Sequence, residues 1–311
     1  MADVIIRGYQ PDDEPALLAL WEEALPLDAI DAATFRAKVL ADANFDPDWL
    51  LLAETDGVLD GFLLAIIRRE PFAGVGLEPQ RGWITAFGVR PEARGRGLGT
   101  ALLDSALGLF AAAGRESVAI APYVPNYFVP GVDESAYADG LAWLLRRGFE
   151  VVSRPLSMDA NLVNLDFAPY IARRAELARS GTEVRALAEG EEPALFDFLA
   201  ASQPPDWLRA ARELLSRPGG CEQVVVAVEA GRVVGYCQFA GEHFGPFGVA
   251  AEQRGRGLGT LLLATALQTM RRRGLHNAWV LWTCDDAADR VYRRFGFGET
   301  RRFAVVRRRL G

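Results

Sequence analysis

Two identical heptads, RGRGLGT, stand at Arg94–Thr100 and Arg254–Thr260. Each follows a strand-like run and opens a run rich in Leu and Ala. That order, strand then glycine turn then helix, can hold a phosphate. A helix N-terminus leaves backbone N–H groups unpaired and carries partial positive charge. Gly95, Gly97 and Gly99, like Gly255, Gly257 and Gly259, remove the side chains that would hold a phosphate off those amides. Arg96 and Arg256 could add charge-assisted contacts. The plainer alternative is a tight turn in which glycine serves backbone angles alone. Two long matching copies weigh against it.

The spacing narrows the ligand. A Walker loop needs G-x-x-x-x-G-K-[ST], and no lysine stands there. A dinucleotide fingerprint needs G-x-G-x-x-G after the first strand; here Thr100 and Thr260 take the last glycine's place, and the motif lies far from the first strand.

The elements that must position these loops are themselves duplicated. FGVRPEARGRGLGTALLDSAL (87–107) answers to FGVAAEQRGRGLGTLLLATAL (247–267), and LLRRGFE (144–150) to YRRFGFGE (292–299). The repeat covers about 150 residues, so each copy is large enough to bury its own core. In each, an opening strand (VIIRGY, EVRALA) precedes an amphipathic helix (EPALLALWEEAL, EPALFDFLA), with DWLRAARELLS as a further helix in the second. Strands follow at WLLLAE, LDGFLLAII and RGWITAFGV, then at EQVVVAVEA, RVVGYCQFA and HFGPFGV, with hairpin turns at Asp56-Gly57 and Ala230-Gly231. Beyond the heptads come helices stopped at Gly114 and Gly274, then a strand, another helix and closing strands. The expected domains are residues 1–160 and 182–311, joined by a connecting helix in 161–181.

At this point the chain resembles the GCN5-related N-acetyltransferase (GNAT) family. Arg94, Gly97 and Gly99, and again Arg254, Gly257 and Gly259, fit its [QR]-x-x-G-x-[GA] pattern. Val89-Arg90-Pro91 matches the family's V-x-P phrase, whereas Val249-Ala250-Ala251 lacks the proline; Tyr292, Gly296 and Phe297 match its Y-x-x-x-G-F phrase. The resemblance implies an α/β fold of two tandem acyl-CoA N-acyltransferase domains, each a mostly antiparallel, splayed mixed sheet flanked by helices. It implies acetyl-CoA as co-substrate, no metal, and direct attack of a primary amine on the thioester. The coenzyme would be held by Val89, Arg94, Gly95, Arg96, Gly97, Gly99 and Thr100 in one copy. In the other it would be held by Phe247, Val249, Arg254, Gly255, Arg256, Gly257, Leu258, Gly259 and Thr260. A bulge in the strand before the loop would free a backbone amide for the thioester oxygen; Gly245, Pro246 and Gly248 disfavour a regular ladder there.

The resemblance also places proton-handling groups. His243, six residues before Val249, stands about where relatives carry a catalytic Glu or His, and an imidazole titrating at about 6.5 can relay a proton through water. Tyr292 stands where relatives carry the acid that protonates the leaving thiolate. The corresponding residues of the first copy, Trp83 and Leu144, can do neither. The expectation is a catalytic second half and a first half that binds coenzyme or acts as a structural partner. A 121–140 insertion rich in aromatics and proline is a packed loop or a lid, with Tyr127 and Asp133 as candidates and Tyr123, Tyr127 or Tyr137 as substitute acids. Asp285 and Asp286 cap a helix or attract a cationic amine. Alternatives are a non-catalytic acyl-CoA-binding or sensor protein, and a tandem acetyltransferase like mycothiol synthase.

Composition bounds the partners. The chain has 311 residues and a net charge of −7, against nonspecific binding to nucleic acid or anionic membrane. Lys38 is its one lysine. No run approaches the roughly 18 apolar residues of a membrane span, and the opening MADVIIRGYQPDDEP lacks signal-peptide character, so a cytoplasmic location is expected. Cys221, Cys237 and Cys284 are too scattered for disulfides or zinc; Cys221 and Cys237 read as reduced thiols in strand-like contexts. The acceptor is expected to be a small-molecule or peptide amine. The two copies fused in one chain could act as a pseudo-dimeric monomer or pair again as a homodimer.

Overall fold

The computed structural model describes residues 4–72 and 75–311. The strands in chain order are β1 Val4–Gly8, β2 Leu50–Thr55, β3 Val58–Ile66, β4 Arg81–Val89, β5 Ser117–Ile120, β6 Val132–Asp133, β7 Glu150–Ser153, β8 Leu156–Asn161, β9 Thr182–Ala186, β10 Val224–Glu229, β11 Arg232–Ala240, β12 His243–Val249, β13 Asn277–Thr283 and β14 Gly298–Arg309. The helices are α1 Glu14–Ala24, α2 Ala32–Phe35 (continued by a π-helical turn, Arg36–Leu40), α3 Leu98–Ala112, α4 Ala138–Arg146, α5 Ala168–Arg179, α6 Glu192–Ser202, α7 Pro205–Leu215, α8 Leu258–Arg272 and α9 Asp285–Arg290.

The chain divides into two units, Met1–Pro155 with Arg302–Gly311, and Leu156–Arg301. In the first, β1–β4 run antiparallel in chain order, β5 joins β4 in parallel, and β14 pairs antiparallel with β5. In the second, β9–β12 repeat the pattern, β13 joins β12 in parallel, and β8 pairs antiparallel with β13. The strand that follows β5 or β13 in each sheet thus comes from the other half of the sequence, and in the first unit β14 lies between β5 and β7. This partition differs from the boundaries read from the sequence at 160 and 182. The segment 161–181 packs into the second unit: Phe167, the N-cap of α5, and Leu177, within it, are buried in that unit's core. Repeat matching locates each strand in the sequence but not the neighbour it pairs with, which is why the exchange was not foreseen.

Local rules account for the remaining elements. Asp56 and Gly57, and Ala230 and Gly231, all have positive φ, the twist that a two-residue hairpin turn requires. Gly114 and Gly274 end α3 and α8 in the left-handed conformation. Each unit fastens its first strand to its first helix in the same way. Arg7 donates two bonds to Asp13 (2.7 and 2.8 Å), and Arg185 donates two to Glu191 (both 2.7 Å). Both sheets carry helices on both faces. In the first unit, α1 packs on Phe62, Leu64 and Trp83, and α3 on Leu63, Ala65 and Ile84. In the second, α6 and α7 pack on Tyr236 and Val226, and α8 on Cys237, Phe239 and Phe244. Cys221 sits in a short 3-10 turn before β10 rather than in a strand, while Cys237 is buried within β11.

Candidate active site

Both glycine loops have the geometry that bare amides require. Gly95, Gly97, Gly255 and Gly257 have φ between 78° and 90°. A Cβ on any of the four would meet nothing within 4 Å, so the space above the loops is open. Gly97 and Gly257 cap α3 and α8. The first helical bonds run from Ala101 N to Gly97 O and from Leu261 N to Gly257 O. The amides of residues 98–100 and 258–260 therefore precede every intrahelical partner and point out at the helix mouth. Gly99 and Gly259 serve differently: their Cα atoms lie against Phe87 and Phe247, where they bring helix and strand together.

The strand before each loop supplies a second row of free amides. Ala250 N donates to Val234 O at 2.9 Å, and Arg90 N to Asp60 O at 2.8 Å. In an antiparallel ladder the direction of the N–H alternates, so Gly248 and Gly88 also face the inner neighbour. Phe247 and Val249, like Phe87 and Val89, then turn their N–H groups to the other side. There the parallel partner has already parted: β12 is in register with β13 only at His243↔Trp279, and β4 with β5 only from Arg81 to Ile84. The wedge between the diverging strands is lined by backbone donors. Each strand also carries one extra residue just before this stretch. Gly245 and Pro246 oppose the single Gln238, and Thr85 is extra between Ile84 and Ala86. These bulges lie where the sequence led us to expect them.

Arg94 Nε donates to Val89 O at 3.1 Å and Arg254 Nε to Val249 O at 3.4 Å, so each folds back to tie the loop to its strand. Arg256 is held away from the loop by Glu229 (2.7 and 3.1 Å) and bonds Gln253. That pairing, with the Thr182 hydroxyl, lowers Glu229 to about 2. Arg96 is exposed. Thr100 accepts a bond from Arg147 Nη2 at 2.5 Å, and the Arg147 guanidinium lies 4.3 Å from the centre of the Trp143 ring. In the second unit Phe295 and Val291 take the places of Arg147 and Trp143.

His243 lies at the point where β12 and β13 part, half-buried, with its ring 4.3 Å from that of Trp279. Tyr292 is buried, its ring set edge-on to Phe244, Phe247 and Phe297. Burial pushes its phenol well above the usual value, while a hydrogen bond with Thr283 acts the other way. It therefore stays protonated across the whole neutral range. Leu144 is buried in the corresponding place of the first unit. Cys284, not Asp285 or Asp286, is the N-cap of α9; the two carboxylates occupy its first turn, and Asp286 pairs with Arg290.

In the first unit the face bearing Trp83 is closed. Tyr123 packs 5.5 Å from Trp83 and donates its hydroxyl to Asp42 (3.0 Å), and Asn126 donates to the same carboxylate (2.6 Å). Phe128 lies edge-on to Trp21 at 5.0 Å, and Arg68, paired with Glu78, covers Trp83 at 5.3 Å. Burial raises the Tyr123 phenol as well, and its proton is committed to Asp42, so it is poorly placed as a substitute acid. Asp133 accepts from the Ser135 amide and hydroxyl and from the Ala136 amide, which shapes the turn into α4. In the second unit the two-residue turn Gly241–Glu242 replaces the long 67–80 connection, and no insertion follows β13. Its equivalent face carries His243, Trp279 and Trp282, the two indoles 41% and 40% exposed. Only strand register aligns the residues of this face, so no local pattern in the sequence marks it.

A sequence profile described as the Acetyltransferase (GNAT) family matches residues 15–127 and again 187–297. The chain belongs to that family and carries two copies of its domain. An acetyltransferase of Pectobacterium atrosepticum is 30% identical over 99 residues, which is 32% of this chain and 62% of that protein. Among solved structures, the glucosamine N-acetyltransferase region of a fungal multi-domain β-N-acetylglucosaminidase aligns with a TM-score of 0.78 at 20% identity, covering 99% of this chain and 38% of that one. A GCN5-related N-acetyltransferase from Sphaerobacter thermophilus aligns at 0.71 and 21%, covering 98% and 95%. A tandem GNAT protein from the clavulanic acid biosynthesis pathway aligns at 0.66 and 17%, covering 99% of both chains. At such identities the likeness is one of fold. Among the described residues no cluster of three or more His, Cys, Asp or Glu could hold a metal, and no helix is long and apolar enough to cross a membrane.

Proposed function

We propose that the second unit transfers an acetyl group from acetyl-CoA to a primary amine, and that the first unit is catalytically silent. The observation that carries this is a contrast. Both units have the open loop and the outward amides, but only the second joins them to His243 and Tyr292 and to an uncovered face. In this reading the amides of residues 258–260 hold the diphosphate, and those of Phe247 and Val249 align the pantetheine arm and thioester. Arg254 keeps the loop closed on its strand. His243 takes the amine proton through water, and Tyr292 delivers its own proton to the departing sulfur. Transfer from a phenol to a thiolate is uphill in water by roughly 1.5 pKa units; burial of Tyr292 widens that gap, which its placement against the departing sulfur must offset. In the first unit Arg94, Arg96, Gly95, Gly97, Gly99, Thr100 and Val89 form the same cradle, so coenzyme binding there without turnover is the matching proposal.

The test is to incubate the full chain with acetyl-CoA and a panel of amines and follow free thiol. Amine-dependent thiol release, lost in Gly257→Val and kept in Gly97→Val, supports the reading. Coenzyme binding without thiol release from any amine points instead to an acyl-CoA sensor.

A further inference from the structure

We infer that the second unit's open face selects an amine with a second positive charge, such as a linear polyamine; this rests on the catalytic reading above and deepens it. Register places one residue from each of three strands in a row: His243 on β12, Trp279 on β13 and Asp159 on β8. Directly paired residues share a sheet face, and Asp159 is exposed. Neighbouring strands lie about 4.8 Å apart, so the Asp159 backbone stands about 10 Å from that of His243. The exposed indole of Trp279 spans the interval, and a tryptophan face attracts cations.

A second carboxylate serves the same face from the helical side. Asp206, in the first turn of α7, is raised above the ordinary carboxylate range by burial. Burial also raises the Tyr236 phenol, and the Asp206 charge adds a smaller push in the same direction. Tyr236 in turn donates to Gln238, and the two line the α6/α7 face of β11. On that face Gln203 and Trp207 pack directly onto the Cα of Gly248, where a Cβ would have no room. Neither Asp159 nor Asp206 has a basic partner among the described residues. Beside His243, Glu242 accepts from Asn277, and the start of β14, which adjoins β8, carries Glu299 and Arg301.

The first unit supplies a control. Its corresponding row is Trp83, Ala119 and Arg307. The exposed anion is replaced by an exposed cation and the bridging indole by a methyl group. The face that keeps the proton-handling residue is the one that carries negative charge.

The experiment titrates spermidine and n-butylamine into the CoA-loaded full chain by calorimetry, for the wild type and for Asp159→Asn, Asp159→Arg, Asp159→Glu and Asp206→Asn. Spermidine should bind at least tenfold more tightly than n-butylamine. Asp159→Asn should weaken spermidine at least fivefold and leave n-butylamine unchanged; Asp159→Arg, which copies the first unit, should weaken it further, and Asp159→Glu should restore it. Equal binding of the two amines, or spermidine binding indifferent to both aspartates, overturns the inference. Thiol release separates this from the reading beneath it. Carboxylate-dependent spermidine binding without thiol release sinks the catalytic reading alone, and thiol release with no preference for a second charge sinks this one alone.

Discussion

The two glycine loops have the same seven residues and nearly the same dihedral angles, yet their surroundings have diverged in opposite directions. Around the first loop Arg96 is exposed, Arg147 is fastened to Thr100, and the sheet face beside Trp83 is sealed by Tyr123, Phe128 and Arg68. Around the second, Arg256 is tied to Glu229, and the face beside His243 is open. On the function proposed above, the difference is that of a binding loop kept in both units while the chemistry beside it is kept in one. Cradling a phosphate needs only backbone, whereas moving protons and admitting an acceptor need particular side chains and empty space.

The largest effect expected from breaking this comparison comes from the exchanged strand. Removing residues 302–311 takes Ala304 and Val306 from the first unit's core, along with the pairing of β5. Burial of large apolar side chains is worth about 1.5–3 kcal/mol each, a large share of a domain's roughly 5–15 kcal/mol. Hydrogen exchange should show β4 and β5 losing protection while β10 and β11 keep theirs; retained protection in β4 would mean the strand is dispensable. Next comes the pair of matched substitutions in the loops. Gly257→Val should cost roughly a hundredfold in kcat/KM, from about 1–2 kcal/mol of left-handed backbone strain together with a side chain over the amides. Gly97→Val should leave turnover intact; equal losses would show that the first unit also catalyses.

Smaller and more specific is Tyr292→Phe, expected to lower kcat by well over tenfold with little change in acetyl-CoA affinity. Leu144→Tyr should restore nothing, because the first unit's face remains sealed. An unchanged rate for Tyr292→Phe would remove the acid assignment.

The smallest effect concerns a feature the units share. Glu191 is held at about 2 by Arg185, and Asp13 lies below its ordinary value beside Arg7. Lowered carboxylates contribute stability that is full above their unfolded values, about 4 for these residue types, and is lost as pH falls through the folded values. Thermal stability should therefore fall between about pH 5 and pH 2. Glu191→Gln should flatten part of that fall for the second unit alone; no change in slope would show that the pair adds nothing in solution.

The sequence by itself determined the duplication, the strand–loop–helix order, and the family, because these rest on local spacing. Gly97 and Gly257 must be glycine for the same left-handed turn wherever it occurs, and hairpin turns such as Asp56-Gly57 announce themselves. Through the family resemblance it also offered His243 and Tyr292 as candidates for proton transfer. Only the tertiary structure decided which strand closes which sheet, that 161–181 is part of a core, that Arg256 is turned away from its loop, and that Trp279 and Asp159 share a face with His243. Those facts depend on pairing between residues from tens to more than a hundred positions apart. No local pattern encodes such pairing; it is fixed when whole apolar faces find the partners that bury them.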